Sequence, residues 1–197
     1  LGDAQISMRM QQLLDRLRED QLNVAFVAEF SRGKSELINA IFFSDYGHRI
    51  LPSSAGRTTM CPTELLYDPQ REPSIQLLPI ETRSGDTTTA EYKRYPDEWK
   101  IIPLDTASGE GMQQAFQEVG QTRRVSTEEA EQLGLYHPDN ADDQLTVGSD
   151  GMVEIPCWRH AIINFPHPLL KQGLVILDTP GLNAIGTEPE LTLNMLP

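Results

Sequence analysis

Leu22 to Phe43 reads LNVAFVAEFSRGKSELINAIFF. Its first part, Leu22 to Ala28, is an apolar run of a length that suits one buried strand. Glu29 to Gly33 is a polar loop. Lys34 to Phe43 then carries apolar residues at Leu37, Ile38, Ala40, Ile41 and Phe42, the spacing of a helix lying on a sheet. A strand, a loop ending in Gly-Lys-Ser and a helix make a phosphate cradle. The loop amides and the helix N-terminus point at an anion, Lys34 adds a mobile positive charge, and the Ser35 hydroxyl is a ligand for magnesium. In the general pattern of such loops the second glycine is Gly33, and Ala28 stands at the first glycine position.

Upstream, residues 4–20 read as a helix. Ile6, Met10, Leu13 and Leu17 form one apolar stripe, with Leu14 beside it. Downstream, residues 44–62 lack periodicity and repeat Gly, Pro and Ser, so they read as a long exposed loop. That loop carries Thr58 and Thr59, and a threonine placed after a phosphate-loop helix can complete a magnesium shell and sense a γ-phosphate. Thr63 to Tyr67 and Ser74 to Leu78 read as strands separated by the Asp68-Pro69 turn.

The stretch 81–151 is the least patterned. Ser108 to Val119 and Ser126 to Leu133 look helical, and Ser126 with Glu129 fits a capping box. Met152 to Phe165 contains a strand with Trp158, Ile162, Ile163 and Phe165 as core residues. His160 and His167 have no metal-ligating partner at useful spacing and read as structural or surface residues. Leu174 to Leu177 is a second fully apolar strand. It ends in Asp178-Thr179-Pro180-Gly181, where a carboxylate at a strand's end suits magnesium and the Gly181 amide suits a close approach to phosphate.

Composition narrows the classes. At 197 residues, 39% hydrophobic and 23% charged, the chain reads as ordinary globular material able to bury a core. No apolar run approaches the roughly 18 residues of a membrane span, and the N-terminus lacks a basic-then-apolar secretory pattern. Cys61 and Cys157 give neither a disulfide framework nor a metal spacing, which makes a reducing cytoplasm the expected compartment. Net charge is −13, and residues 81–151 hold 15 acidic and 6 basic side chains, so the acidity belongs mainly to the middle. That distribution argues against nucleic acid as a partner and reads as a solvated acidic surface.

Three stretches together, EFSRGKSELINAIF (29–42), TTMCPTEL (58–65) and LDTPGLN (177–183), resemble the bacterial dynamin-like GTPases. The resemblance covers 22–70 and 152–197. It implies an α/β fold: a phosphate-loop GTPase domain over 22–197, its mostly parallel sheet flanked by helices and incomplete at the C-terminus. Residues 1–21 would be an N-terminal helix of a neck or stalk, and 81–151 a family-variable acidic segment. It implies GTP as substrate, hydrolysed to GDP and phosphate with Mg2+.

By that likeness Lys34, Thr59 and Ser31 take part in catalysis. Glu29, Phe30, Ser31, Arg32, Gly33, Lys34, Ser35, Glu36, Thr59, Asp178 and Gly181 line the nucleotide, and Ser35, Thr59 and Asp178 hold magnesium. The family also implies a homodimer through the GTPase face, membrane remodelling through downstream regions, and a cytoplasmic place peripheral to the inner membrane. Phe30 departs from the family, standing where eukaryotic dynamins carry a water-orienting glutamine. No guanine-reading Asn/Thr-Lys-x-Asp sequence occurs in 182–197, so the chain is expected to be a fragment, and guanine specificity rests on the resemblance. Two other readings use the same residues. One is a regulatory GTPase of ribosome assembly or cell-cycle control; the other is a binding-only module, suggested by Ala28 and Phe30.

Overall fold

The structure, a computed structural model, describes residues 22–26, 34–47, 49–51, 61–137 and 147–178. The helix expected over 4–20, Thr58 and Thr59, the loop Glu29 to Gly33, and Gly181 lie outside the described residues. In chain order the elements are β1 (Leu22–Phe26), α1 (Lys34–Phe42), β2 (Thr63–Leu66), β3 (Ser74–Pro79), α2 (Thr89–Tyr92) and β4 (Lys100–Pro103). They are followed by α3 (Gly109–Val119), β5 (Thr122–Ser126), α4 (Thr127–Gln132), β6 (Met152–Pro156), β7 (Trp158–Asn164) and β8 (Leu174–Asp178).

Six strands form one sheet in the order β1-β8-β2-β7-β3-β4, and β5 pairs with β6 in a separate two-stranded sheet. The six-stranded sheet is mixed, which corrects the expectation of a mostly parallel one. β1 with β8 and β2 with β7 are parallel. β2 with β8, β3 with β7 and β3 with β4 are antiparallel. The reason lies in the connections. A parallel return needs a crossover of a dozen or more residues. The links from β2 to β3 and from β7 to β8 are shorter than that, so each reverses the chain. Met152 to Phe165 contains the expected strand as β7 and a further one, β6, in the other sheet. The two are separated at Cys157, whose amide donates to the Gln121 carbonyl (2.9 Å) while its own carbonyl accepts from the Ile80 amide (3.0 Å).

Alternation along the strands sorts their side chains onto two faces. Leu65, Ile75, Leu77, Ala161, Ile163 and Ile176 share one face and form the main core with Ile38, Phe42 and Phe43. From α3 that core receives Met112, Ala115, Phe116 and Val119, a single helical stripe. Phe43 anchors the junction, its ring centroid 5.2 Å from those of both Phe116 and Phe165. The opposite face carries Leu78, Trp99 and Ile162, with Leu66 and Tyr92 packed beside them. A third cluster, Ile80, Val125, Ala130, Leu133, Leu135, Val153 and Ile155, sits between α4 and the β5–β6 pair. The acidic stretch therefore contributes β4 to the main sheet and shares a small core with Ile80, Val153 and Ile155.

Candidate functional site

The registers bring the end of β1, the start of β2 and the end of β8 to one edge of the sheet. β1 and β8 run in the same direction, and Phe26 is paired with Asp178 at their common end. β2 runs the other way, so it starts at that edge, and Thr63 is paired with Asp178 from the other side. Asp178 is thus held between the last residue of β1 and the first residue of β2. Ligands of open α/β sheets bind at such carboxyl ends. The chain leaves β1 at Phe26 and re-enters the described structure at Lys34 and Ser35, the opening residues of α1. Glu36, expected to line the nucleotide, is exposed on α1 and ion-paired with Arg49.

The described residues on either side of 52–60, the stretch whose sequence holds Thr59, are anchored. At its start, Asn39 reaches from α1 to the backbone: its Nδ2 donates to the Leu51 carbonyl (2.9 Å), and its Oδ1 accepts from the Ile50 (3.1 Å) and Leu51 (2.8 Å) amides. Asn39 is buried, so these bonds satisfy groups that would otherwise be desolvated without partners. At its end, Cys61 is buried, and the Thr63 hydroxyl donates to the Cys61 carbonyl (3.1 Å). Burial pushes the Cys61 thiol up to about 12, and the negative charge of Asp178 adds to that effect. Cys61 is therefore a buried packing group just ahead of β2.

Next to Thr63, on the second face, sits Glu64, only 3% exposed. Lys93, in the strap that follows α2, donates to Glu64 Oε1 (2.7 Å) and Oε2 (2.9 Å). His160 on β7 lies 2.9 Å from Glu64 Oε1 through its Nε2. An ionised carboxylate only accepts, so this nitrogen carries the proton and donates. Burial alone would raise the Glu64 carboxyl, but the hydrogen bond and charge of His160, and then Lys93, outweigh it and bring the group down to about 2. Nδ1 of His160 is buried without a hydrogen-bond partner among the described residues. His160 was expected to be a structural or surface residue; it is structural, and part of a buried ionic cluster. His167 is half-buried between aromatic rings, with its centroid 4.9 Å from Phe42 and 6.3 Å from Phe165.

Sequence reasoning passed over Asn39 and Glu64. The signal for each was a polar residue inside an apolar run, Asn39 within LINAIF and Glu64 within TELL. Of the magnesium donors expected, the structure positions the Asp178 backbone at the site edge and Ser35 in the first turn of α1. Carboxylate and hydroxyl oxygens are the hard donors magnesium takes, so this set fits the ion. No group of three or more His, Cys, Asp or Glu among the described residues could hold a metal without such help. No helix among the described residues is long and apolar enough to cross a membrane.

Residues 24–196 match the Dynamin family. Among solved structures, one belonging to an oligomerised bacterial dynamin pair described as sensing and tethering membranes over long range aligns with a TM-score of 0.41 and 20% identity. It covers 95% of this chain and 21% of its own length. A second structure of an oligomerised bacterial dynamin pair aligns with a TM-score of 0.41 and 15% identity, covering 98% of this chain and 27% of its own. The chain thus spans little more than a quarter of these structures at most. No curated protein matches it.

Proposed function

The chain belongs to the dynamin family, and on that premise we propose that it is the nucleotide-binding part of a large GTPase that binds GTP and hydrolyses it to GDP and phosphate. The observation that carries this reading is the convergence of Phe26, Asp178 and Thr63 at one sheet edge. Strand residues flanking three motifs distant in sequence are neighbours there, which supports a phosphate site with a metal beside it.

In this reading the Gly33 and Lys34 region cradles the β- and γ-phosphates, with Lys34 neutralising their oxygens. Ser35, Thr59 and Asp178 hold Mg2+, which when bound supplies charge neutralisation for the phosphates. Gly181 brings a backbone amide to the γ-phosphate. Asn39 fixes where the Thr59 segment begins, and Cys61 and Thr63 fix where it ends. A threonine carried between two such fixed points would suit ordering by a γ-phosphate and release after hydrolysis. Ser31 and Arg32 stand in the cradle loop near the phosphates. Phe30 lacks a group that hydrogen-bonds water, so another residue or a partner subunit orients the nucleophile.

Dimerisation across the nucleotide face, membrane contact through other parts of the protein and a peripheral place at the inner membrane complete the proposal. The bacterial dynamin structures, described as oligomerised and membrane-tethering, suggest these without bearing on this chain's residues. Phosphate release from GTP by the complete protein, titrated with magnesium, tests the metal assignment. Asp178→Asn is expected to raise the magnesium requirement by about tenfold or more, an effect in the range of one lost charged ligand contact. An unchanged magnesium titration would remove Asp178 from the site.

A further inference from the structure

The ladder that places Thr63 against Asp178 is short. Its register is Thr63 with Asp178, Glu64 with Leu177, and Leu65 with Ile176. Both faces of β2 and β7 carry large apolar residues: Leu65 and Ile163 on one, Leu66 and Ile162 on the other. Apolar residues of similar size specify register weakly, because one can replace another. Glu64 cannot be so replaced. A slip of one residue would turn its carboxylate into the apolar core under α1. A slip of two would leave His160 and Lys93 facing Leu66. Three directional hydrogen bonds converge on this carboxylate from two other elements, β7 and the strap after α2.

A buried ion pair is seldom more stabilising than well-packed apolar side chains of the same volume. What this one supplies is position. We propose that Glu64 is a positioning residue for hydrolysis: clamped by His160 and Lys93, it locks the start of β2 in register with the end of β8, and so fixes the spacing between Asp178 and the segment that delivers Thr59. The inference rests on the GTPase reading above and adds the group that holds two of its parts in place. It also couples the strap carrying Lys93 to the nucleotide site, although no residue of that strap touches the nucleotide in this account.

The test is steady-state GTP turnover of the complete protein, with GDP affinity measured alongside. Glu64→Leu is expected to lower kcat about tenfold or more, with KM and GDP affinity within about threefold, because misplacement at a reacting centre acts on the transition state. Lys93→Met is expected to lower kcat about fivefold, Lys93→Arg to restore it, and Glu64→Leu combined with Lys93→Met to be no worse than Glu64→Leu alone, as for residues acting as a unit. If Glu64→Leu does not fold, Lys93→Met and Lys93→Arg carry the test, since the Lys93 side chain is 37% exposed and belongs to none of the apolar clusters. Equal kcat for wild type, Lys93→Met and Glu64→Leu overturns the proposal. A kcat loss that matches the loss of folded protein by circular dichroism also overturns it. Lys34→Ala separates the two claims: turnover that depends on Lys34 but not on Glu64 keeps the GTPase reading and ends this one. Absence of Lys34-dependent turnover ends both.

Discussion

The two faces of the six-stranded sheet solve the same burial problem with different chemistry. Under α1 and α3 the face is apolar throughout, from Ile176 across Leu65 and Ile163 to Ile75 and Leu77. On the other face, Leu78 and Ile162 share the sheet with a buried carboxylate and imidazole, to which the partly exposed Lys93 ammonium is joined. The first face derives its strength from area and shape and tolerates exchange of one apolar residue for another. The second accepts the desolvation of charges and gains a register that apolar residues do not enforce. The edge that needs accuracy, where Asp178 meets Thr63, lies one residue from the charged cluster. Bulk stability and local alignment are thus supplied by different sides of one sheet.

The largest effect expected separates the faces by stability. Phe116, fully buried, packs edge-on to Phe43, and Phe116→Ala should cost about 3–5 kcal/mol through lost transfer energy and the cavity left behind. Denaturant unfolding of the complete protein, with hydrogen exchange at β2 and β7 as the local readout, checks this. A loss below about 1 kcal/mol would mean that the apolar face is not the main source of stability.

Next comes acid. The Glu64 carboxyl lies below its ordinary value near 4.5, at about 2. A depressed carboxyl contributes stability that is fully present above the unfolded value and is lost as pH falls through the folded one. Wild type and Glu64→Gln should therefore differ in β2 and β7 protection above about pH 4.5, on the order of 3 kcal/mol, and converge as pH falls toward 2. A difference that does not change over that window would place the charge elsewhere.

The third effect concerns the anchor of the Thr59 segment. Asn39→Ala leaves buried backbone groups of Ile50 and Leu51 without partners, at about 2 kcal/mol. The expected sign is faster amide exchange at Ile50 and Leu51, with β3 and β7 unaffected. The smallest effect falls on the strap. Thr88 caps α2, its hydroxyl accepting from the Glu91 amide (3.2 Å) while Glu91 accepts from the Thr88 amide (2.8 Å). Thr88→Ala should cost about 1 kcal/mol. If Lys93 depends on the strap's seating, the same variant should also lower kcat slightly.

Much of the apolar frame was legible from the sequence. Leu22 to Phe26, α1, β2, β3, α3 and β8 carry apolar runs or helical stripes, and periodicity reports those directly. The direction of the strands was not legible, because it follows from connection length and register, and the apolar pattern is the same for parallel and antiparallel neighbours. β4 was hidden because an edge strand holding Lys100, an exposed Ile101 and Pro103 lacks a buried pattern. β5 was hidden by Arg123 and Arg124. The Glu64–His160 contact joins residues 96 positions apart, and a pair that distant leaves no periodic trace. At the site, Lys34, Ser35 and Asp178 were readable as chemistry, whereas the pairing of Asp178 with both Phe26 and Thr63 required the topology. Glu29, Phe30, Ser31, Arg32, Gly33, Thr59 and Gly181 lie outside the described residues, so their roles stay with the proposal.

Turnover of GTP by the complete protein, compared with Lys34→Ala, tests the central claim most directly. Lys34 opens α1 after the cradle loop and would neutralise phosphate charge in the transition state. Turnover should fall about a hundredfold or more in the variant, in line with loss of an electrostatic stabiliser at a reacting centre, with its circular dichroism spectrum unchanged. Equal turnover in wild type and Lys34→Ala would contradict the assignment of this edge as a GTP-hydrolysing site.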